Sequence, residues 1–106
     1  MRPSLELPSM QIDYGTSGLD AVLTAGAGKI KLPIAVINSL RRKMILLEQA
    51  PDERTLRNWK SLHYEKLQGD RSNQRSIRLN DQWRLIFELP DQKPQKLLLI
   101  AVEDYH

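Results

Sequence analysis

Ser76-Ile77-Arg78-Leu79-Asn80-Asp81-Gln82-Trp83-Arg84-Leu85-Ile86-Phe87-Glu88 is the stretch whose reading decides the fold. Apolar and polar residues alternate on both sides of Asn80-Asp81-Gln82, which is the pattern of two half-buried strands joined by a turn. A two-residue loop would pair Arg78 with Trp83 and Ile77 with Arg84, mixing polar and apolar side chains on both faces. A three-residue loop pairs Leu79 with Trp83, Arg78 with Arg84 and Ile77 with Leu85. Side chains alternate with a period of two, so only the second register gathers Ile77, Leu79, Trp83, Leu85 and Phe87 on one buried face. The same register sets Arg78 beside Arg84 on the opposite face.

Working outward, Pro90 to Pro94 reads as a turn, and Leu97 to Val102 as an apolar strand with a central place in the sheet. Upstream, Asn58 to Leu67 reads as a loop leading into an edge strand, and Gly69 as a turn residue of positive φ. Pro33 suits the first turn of a helix whose apolar stripe is Ile34, Ile37, Leu40, Met44 and Leu47. Pro51 ends that helix, and Asp52 opens a short one through Leu56. Thr16 or Ser17 can cap an earlier helix carrying Leu19, Val22 and Leu23, ended by Gly26 and Gly28. Gln11 to Tyr14 resembles a short strand, and residues 1–10 read as a flexible leader, with Met10 as an alternative start. The expected architecture is α+β, helices first and then an antiparallel sheet, forming a single domain over residues 11–106.

The chain has 106 residues and no cysteine, which excludes disulfide scaffolds, thiolate nucleophiles and zinc–thiolate sites. It fits a cytoplasmic protein. No apolar run approaches the roughly 20 residues of a membrane span, so no membrane partner is expected. The net charge of +3 is unevenly spread. Residues 1–53 balance six basic against six acidic side chains, whereas residues 54–84 hold eight basic and three acidic ones. Such a segment fits a polyanion-facing surface, and equally a solvated charged face.

Two arginines directly opposite on a sheet repel, so their juxtaposition invites an anionic ligand, and a guanidinium matches phosphate oxygens bidentately. The plain reading pairs each with a nearby acid such as Glu88 or Glu103. Arg54, Arg57 and Lys60 read as surface charges, Arg71 and Arg75 as loop residues, and His63 as a solvent-exposed loop histidine. Asp104-Tyr105-His106 follows the last strand with a carboxylate, a phenol and an imidazole, groups suited to proton transfer, although chain ends are often functionless. Phosphate-binding glycine loops, paired-histidine metal motifs and serine–histidine elbows are missing from the sequence, so neither a metal nor another cofactor is expected. The remaining chemistry is arginine, histidine, tyrosine and carboxylate, which suits phosphodiester cleavage without a metal.

Leu67-Gln68-Gly69-Asp70-Arg71, Ser76 to Phe87 and the terminal Glu103-Asp104-Tyr105-His106 together resemble the HigB (plasmid maintenance killer) toxins of the RelE/ParE superfamily. The resemblance implies a microbial-RNase-like fold, with two N-terminal helices packed on a curved antiparallel sheet. It also implies a type II toxin–antitoxin toxin that cleaves mRNA on the ribosome by attack of the 2′-OH on the adjacent phosphate. Carried over by position, Arg84 would stabilise the transition state and Arg78 would be a second cation. His106 would transfer protons, Tyr105 would act as acid, base or stacking platform, and Asp104 would complete the terminal triplet. Arg71 matches the arginine of the glycine loop and, with Arg75, Lys66 and His63, makes up the candidate RNA-binding set. Two positions depart from the family pattern: Gln68 stands where some relatives are basic, and His63 lies six residues before Gly69 where some have a histidine at four. Lys66 is the nearest basic substitute. The implied partners are a helix-turn-helix, HigA-like antitoxin, the ribosome and mRNA, with operator DNA touched only through the antitoxin. A gyrase-poisoning toxin of the ParE branch and a non-catalytic RNA- or ribosome-binding module are the competing readings.

Overall fold

The computed structural model describes residues 11–15, 18–19, 31–90 and 96–104. In chain order these form β1 (Gln11–Asp13), α1 (Ile34–Gln49), α2 (Glu53–Asn58), β2 (Glu65–Lys66), β3 (Gln74–Arg78), β4 (Trp83–Glu88) and β5 (Lys96–Asp104). Short 3-10 turns at Lys60–Leu62 and Gly69–Arg71 flank β2. The strands make one sheet in the order β1-β5-β4-β3-β2.

The β3–β4 hairpin has the register expected from its alternation, with Ile77 opposite Leu85 and Arg78 opposite Arg84. Leu79 N donates to Trp83 O at 2.9 Å, and Asn80 Oδ1 accepts from the amides of Gln82 and Trp83, both at 2.8 Å, which closes the turn. Ile77, Leu79, Leu85 and Phe87 are buried on one face and Trp83 is half-buried beside them. Leu97 and Leu99 extend that face, against which α1 packs Val36, Ile37, Leu40, Met44 and Leu47. At roughly 1.5–3 kcal/mol for each fully buried large aliphatic side chain, this layer is the main source of stability.

The ends of α1 follow from two prolines. Pro33 caps it with extended backbone, its carbonyl accepting from Val36 N at 2.9 Å and Ile37 N at 3.1 Å. Pro51 disfavours helical backbone at the residue before it, and Ala50 turns out at ψ 129°. Asp52 then caps α2 by accepting from Thr55 N at 2.9 Å. That bond holds the Asp52 carboxyl below its ordinary pKa.

Four expectations need correcting. Ile34 is not on the core stripe but 70% exposed, while Val36 and Ser39 face inward. Each three-residue step falls about 60° short of a full turn, so two in succession carry the stripe well away from Ile34. The sheet is mixed, because β1 runs parallel to β5 through Ile12 opposite Leu97. Parallel neighbours need a long crossover, and the chain from β1 to β5 supplies one without leaving a local pattern to read. The sheet also begins before the helices: β1 precedes α1 and α2. Finally, β4 holds the middle of the sheet and β5 lies one strand from the β1 edge. The expected leader, most of the helix after Ser17, and the Pro90–Pro94 turn beyond Pro90 lie outside the described residues. Leu19 is described and is buried in the core.

Two further features shape the sheet. Ile86 pairs with Ala101 but Phe87 pairs with Leu99, so β5 carries one extra residue there, a bulge that bends and twists a strand locally. Ser39 Oγ donates to Leu79 O at 2.6 Å in a buried contact that ties the middle of α1 to the hairpin turn.

Candidate functional site

Alternation along β3 and β4 sends Ser76, Arg78, Arg84 and Ile86 to the face away from the helices. On β5 the register with β4 adds Glu103, opposite Arg84. The edge strand β2 is laid alongside by Glu65 opposite Ser76, which brings the turn at His63 toward Arg84. Two hollows open on this face. One, of about 220 Å³, is lined by Leu67, Arg71, Ser76, Arg84, Glu103 and Asp104 among others. The second, of about 200 Å³, is lined by His63, Arg78, Asn80, Asp81 and Arg84. Arg84 belongs to both.

Arg84 is 9% exposed, unusual for a side chain that carries a full charge. Its Nε donates to Ser76 Oγ at 2.8 Å and its Nη2 to the His63 carbonyl at 2.6 Å. Ser76 is fully buried. His63 adopts left-handed backbone, φ 48° and ψ 51°, at the end of the 3-10 turn, with its amide donating to Lys60 O at 3.1 Å. That conformation is uncommon outside glycine, and the Arg84 bond to its carbonyl helps hold it.

The other candidates fall into place around Arg84. Arg78 sits opposite it, and its Nη2 donates to Asp81 within the turn while its Nε donates to Asn80 O at 3.3 Å. The acid beside Arg78 is therefore Asp81 rather than Glu88 or Glu103. Arg71 bridges to Glu103 Oε2 at 2.8 Å and to Gln74 Oε1 at 2.9 Å. Gly69, which begins the turn leading to Arg71, has φ 68° as its type requires. Asp104 Oδ2 accepts from Gln82 Nε2 at 2.9 Å. Tyr105 and His106 lie outside the described residues.

Arg75 and Lys66 stand apart from this group. Arg75 is opposite Phe87, on the helix side of the sheet, where its Nε donates to Glu53 Oε2 at 3.0 Å. Tyr64 donates its phenol proton to the same Glu53 oxygen, and its ring meets Phe87 edge-on at 6.2 Å. Burial pulls the Glu53 carboxyl upward, but the bonds from Tyr64 and Arg75 outweigh it and leave the pKa lowered. Burial and the Glu53 carboxylate push the Tyr64 phenol well above its ordinary value. This trio braces α2 against the sheet. Lys66 pairs with Arg75 on the exposed edge and lines neither hollow.

Sequence reasoning missed Ser76, whose signal was its place on the Arg78/Arg84 face, two residues from Arg78. It also weighed Glu103 only as a partner for the paired arginines, whereas Arg71 takes it. Chemically, the face offers guanidinium donors flanking two small hollows, with carboxylates and His63 at their rims. Such an arrangement can hold a phosphodiester and handle protons beside it.

Comparison with known proteins bears on the family and the fold. The family model described as RelE-like toxin of type II toxin-antitoxin system HigB matches residues 14–106. Toxin HigB-1 of Vibrio cholerae serotype O1 is 38% identical over 60 residues, which cover 57% of this chain. The match spans 63% of that relative's length, just under two thirds. Among solved structures, YafQ from E. coli strain BL21(DE3) superposes with a TM-score of 0.59 at 21% identity, covering 92% of this chain and 94% of that one. YafQ in the E. coli DinJ-YafQ toxin-antitoxin complex gives 0.59 at 23% identity, covering 92% and 93%. The YoeB/ParE toxin from Agrobacterium tumefaciens gives 0.57 at 14% identity, covering 92% and 100%. At such identities the structural likeness is one of fold.

Proposed function

The chain belongs to the HigB-like family of RelE-like toxins of type II toxin–antitoxin systems, and from that premise we propose that it is a ribosome-dependent endoribonuclease that cuts mRNA. The observation that carries the reading is Arg84, nearly buried and shared by two hollows whose rims hold Arg71, Arg78, His63, Glu103 and Asp104.

In this reading the nucleotide 2′-oxygen attacks the adjacent phosphorus while a base removes the 2′ proton. The bond from phosphorus to the 5′-oxygen breaks, and an acid protonates that oxygen. The products are a 2′,3′-cyclic phosphate, open to hydrolysis to a 3′-phosphate, and a 5′-hydroxyl. Arg84 stands where a guanidinium meets negative charge building on the phosphorane, and donors held in advance contribute most to such stabilisation. Arg78 supplies a second positive charge on the same face, and Arg71 draws the backbone of the message toward the hollow it lines. His106 and Tyr105 are assigned the proton transfers, with Asp104 orienting them, and side-chain chemistry alone suffices without a metal. Lys66, exposed on the edge strand, is assigned an outer contact to RNA, whereas Arg75, held by Glu53 on the helix side of the sheet, leaves the RNA-binding set.

The partner class follows from the family. A cognate antitoxin of HigA-like, helix-turn-helix type sequesters the toxin in the cytoplasm and mediates any contact with operator DNA. Among the described residues no helix is long and apolar enough to cross a membrane.

The test is purified ribosomes programmed with a defined message, incubated with wild type, Arg84→Ala and His106→Ala, followed by mapping of the new 5′ ends. Codon-associated cuts bearing 5′-hydroxyl ends, lost in both variants, are expected. In cells induced to express the wild type, growth arrest with intact mRNA and covalent gyrase–DNA adducts would replace this reading with a gyrase poison. Ribosome binding with no cleavage would replace it with a non-catalytic module.

A further inference from the structure

Resting on that reading, we infer that Ser76 is a positioning residue, whose hydroxyl fixes the Arg84 guanidinium between the two hollows. Arg84 lies directly opposite Arg78, and Ser76 is the diagonal neighbour two residues along β3. Diagonal cross-strand neighbours are within reach of long side chains, and here the reach is a 2.8 Å bond from Arg84 Nε to Ser76 Oγ. The acceptor is itself immobile, since Ser76 is fully buried between Glu65 on β2 and Ile86 on β4.

The geometry of arginine gives that bond its weight. The guanidinium is planar, so anchoring Nε and one Nη fixes the plane and the direction of the remaining donors. The second anchor, the His63 carbonyl at 2.6 Å, belongs to a residue held in left-handed backbone at the start of the edge strand. Ser76 thus locks one end of the fork and the His63 turn the other. A neighbouring arginine, Arg78, would otherwise push the Arg84 charge away across the ladder. Without the serine, Arg84 loses the anchor at Nε that sets the plane of its guanidinium. Catalysis by charges held in place suffers more from lost orientation than from weaker binding, so the effect falls on kcat.

The experiment compares wild type with Ser76→Ala, a change that removes only the hydroxyl. Steady-state cleavage on programmed ribosomes gives kcat and KM separately. The resonance of the Arg84 Nε–H group, assigned by its absence in Arg84→Lys, reports the bond itself in the protein alone. Expected is a fall in kcat of about 10- to 100-fold with KM within about twofold, together with a displaced or exchange-broadened Nε–H signal. An unchanged kcat, a change confined to KM, or an unmoved Nε–H signal overturns the positioning role. Loss of cooperative melting in Ser76→Ala also overturns it, in favour of a purely structural serine. If wild type cleaves nothing, the endonuclease reading fails, while the Nε–H resonance still decides whether Ser76 holds Arg84.

Discussion

Replacing Tyr64 by phenylalanine isolates the brace between α2 and the sheet. The phenol donates to Glu53 Oε2, the oxygen that also receives Arg75 Nε at 3.0 Å, and the Arg75 and Glu53 side chains are only 13% and 26% exposed. Tyr64→Phe keeps the ring against Phe87 and leaves Glu53 paired with Arg75, so the loss is one hydrogen bond to a charged acceptor. Such bonds contribute roughly 1.5–3 kcal/mol, and the surviving ion pair favours the low end, about 1.5 kcal/mol. At roughly 2.1 cal/mol/K per residue, a chain of 106 residues unfolds with an entropy of about 0.22 kcal/mol/K, so the melting temperature falls by roughly 7 °C. The pH dependence supplies a second check. The phenol is raised above its ordinary value of 10.0 in the folded protein, so its contribution is fully present below pH 10 and lost as pH rises further. The gap between wild type and variant therefore narrows as pH rises above 10, by up to about 1.4 kcal/mol per pH unit. Thermal melts by circular dichroism at pH 7 and across pH 9–11 measure both. A gap below about 0.5 kcal/mol at pH 7, or one that stays constant to pH 11, would refute the reasoning.

Two more outcomes concern the same packing. Glu53 is lowered from 4.5 in the folded state, so it stabilises above that value and the stabilisation drains away as pH falls through the folded pKa; Glu53→Gln should flatten the acid limb of a melting-temperature profile. Ser39→Ala removes the buried donor to Leu79 O, leaving a buried carbonyl without that partner, and should cost about 1–3 kcal/mol in urea unfolding with an unchanged m-value.

The hairpin was legible because its alternation admits only one register that does not mix faces, and the paired arginines followed from it. Part of α1 was legible for the same reason, though Ile34 shows how a stripe extended by one residue too many leaves the core. Ser39 was illegible, since a serine in mid-helix reads as solvent-facing until its acceptor, forty residues away, is known. The parallel pairing of β1 with β5 joins Gln11 to Lys96 and leaves no trace in either local pattern. At the site, Arg84, Arg78 and Arg71 were legible from charge and register. The role of His63 was not, because what places it is its backbone carbonyl, which no side-chain pattern reports.

The place of β5 in the sheet has a consequence for how the protein comes into being. Lys96–Asp104 follows every other described strand in sequence, yet it lies between the first strand and the fourth. While those residues are still being polymerised, β4 has one open side and β1 has nothing to pair with. Glu103, the acid that anchors Arg71, arrives with the same strand. Formation of the sheet is thereby tied to its latest described strand: a nascent chain that stops short of residue 96 lacks the strand that joins β1 to β4 and the acid that holds Arg71.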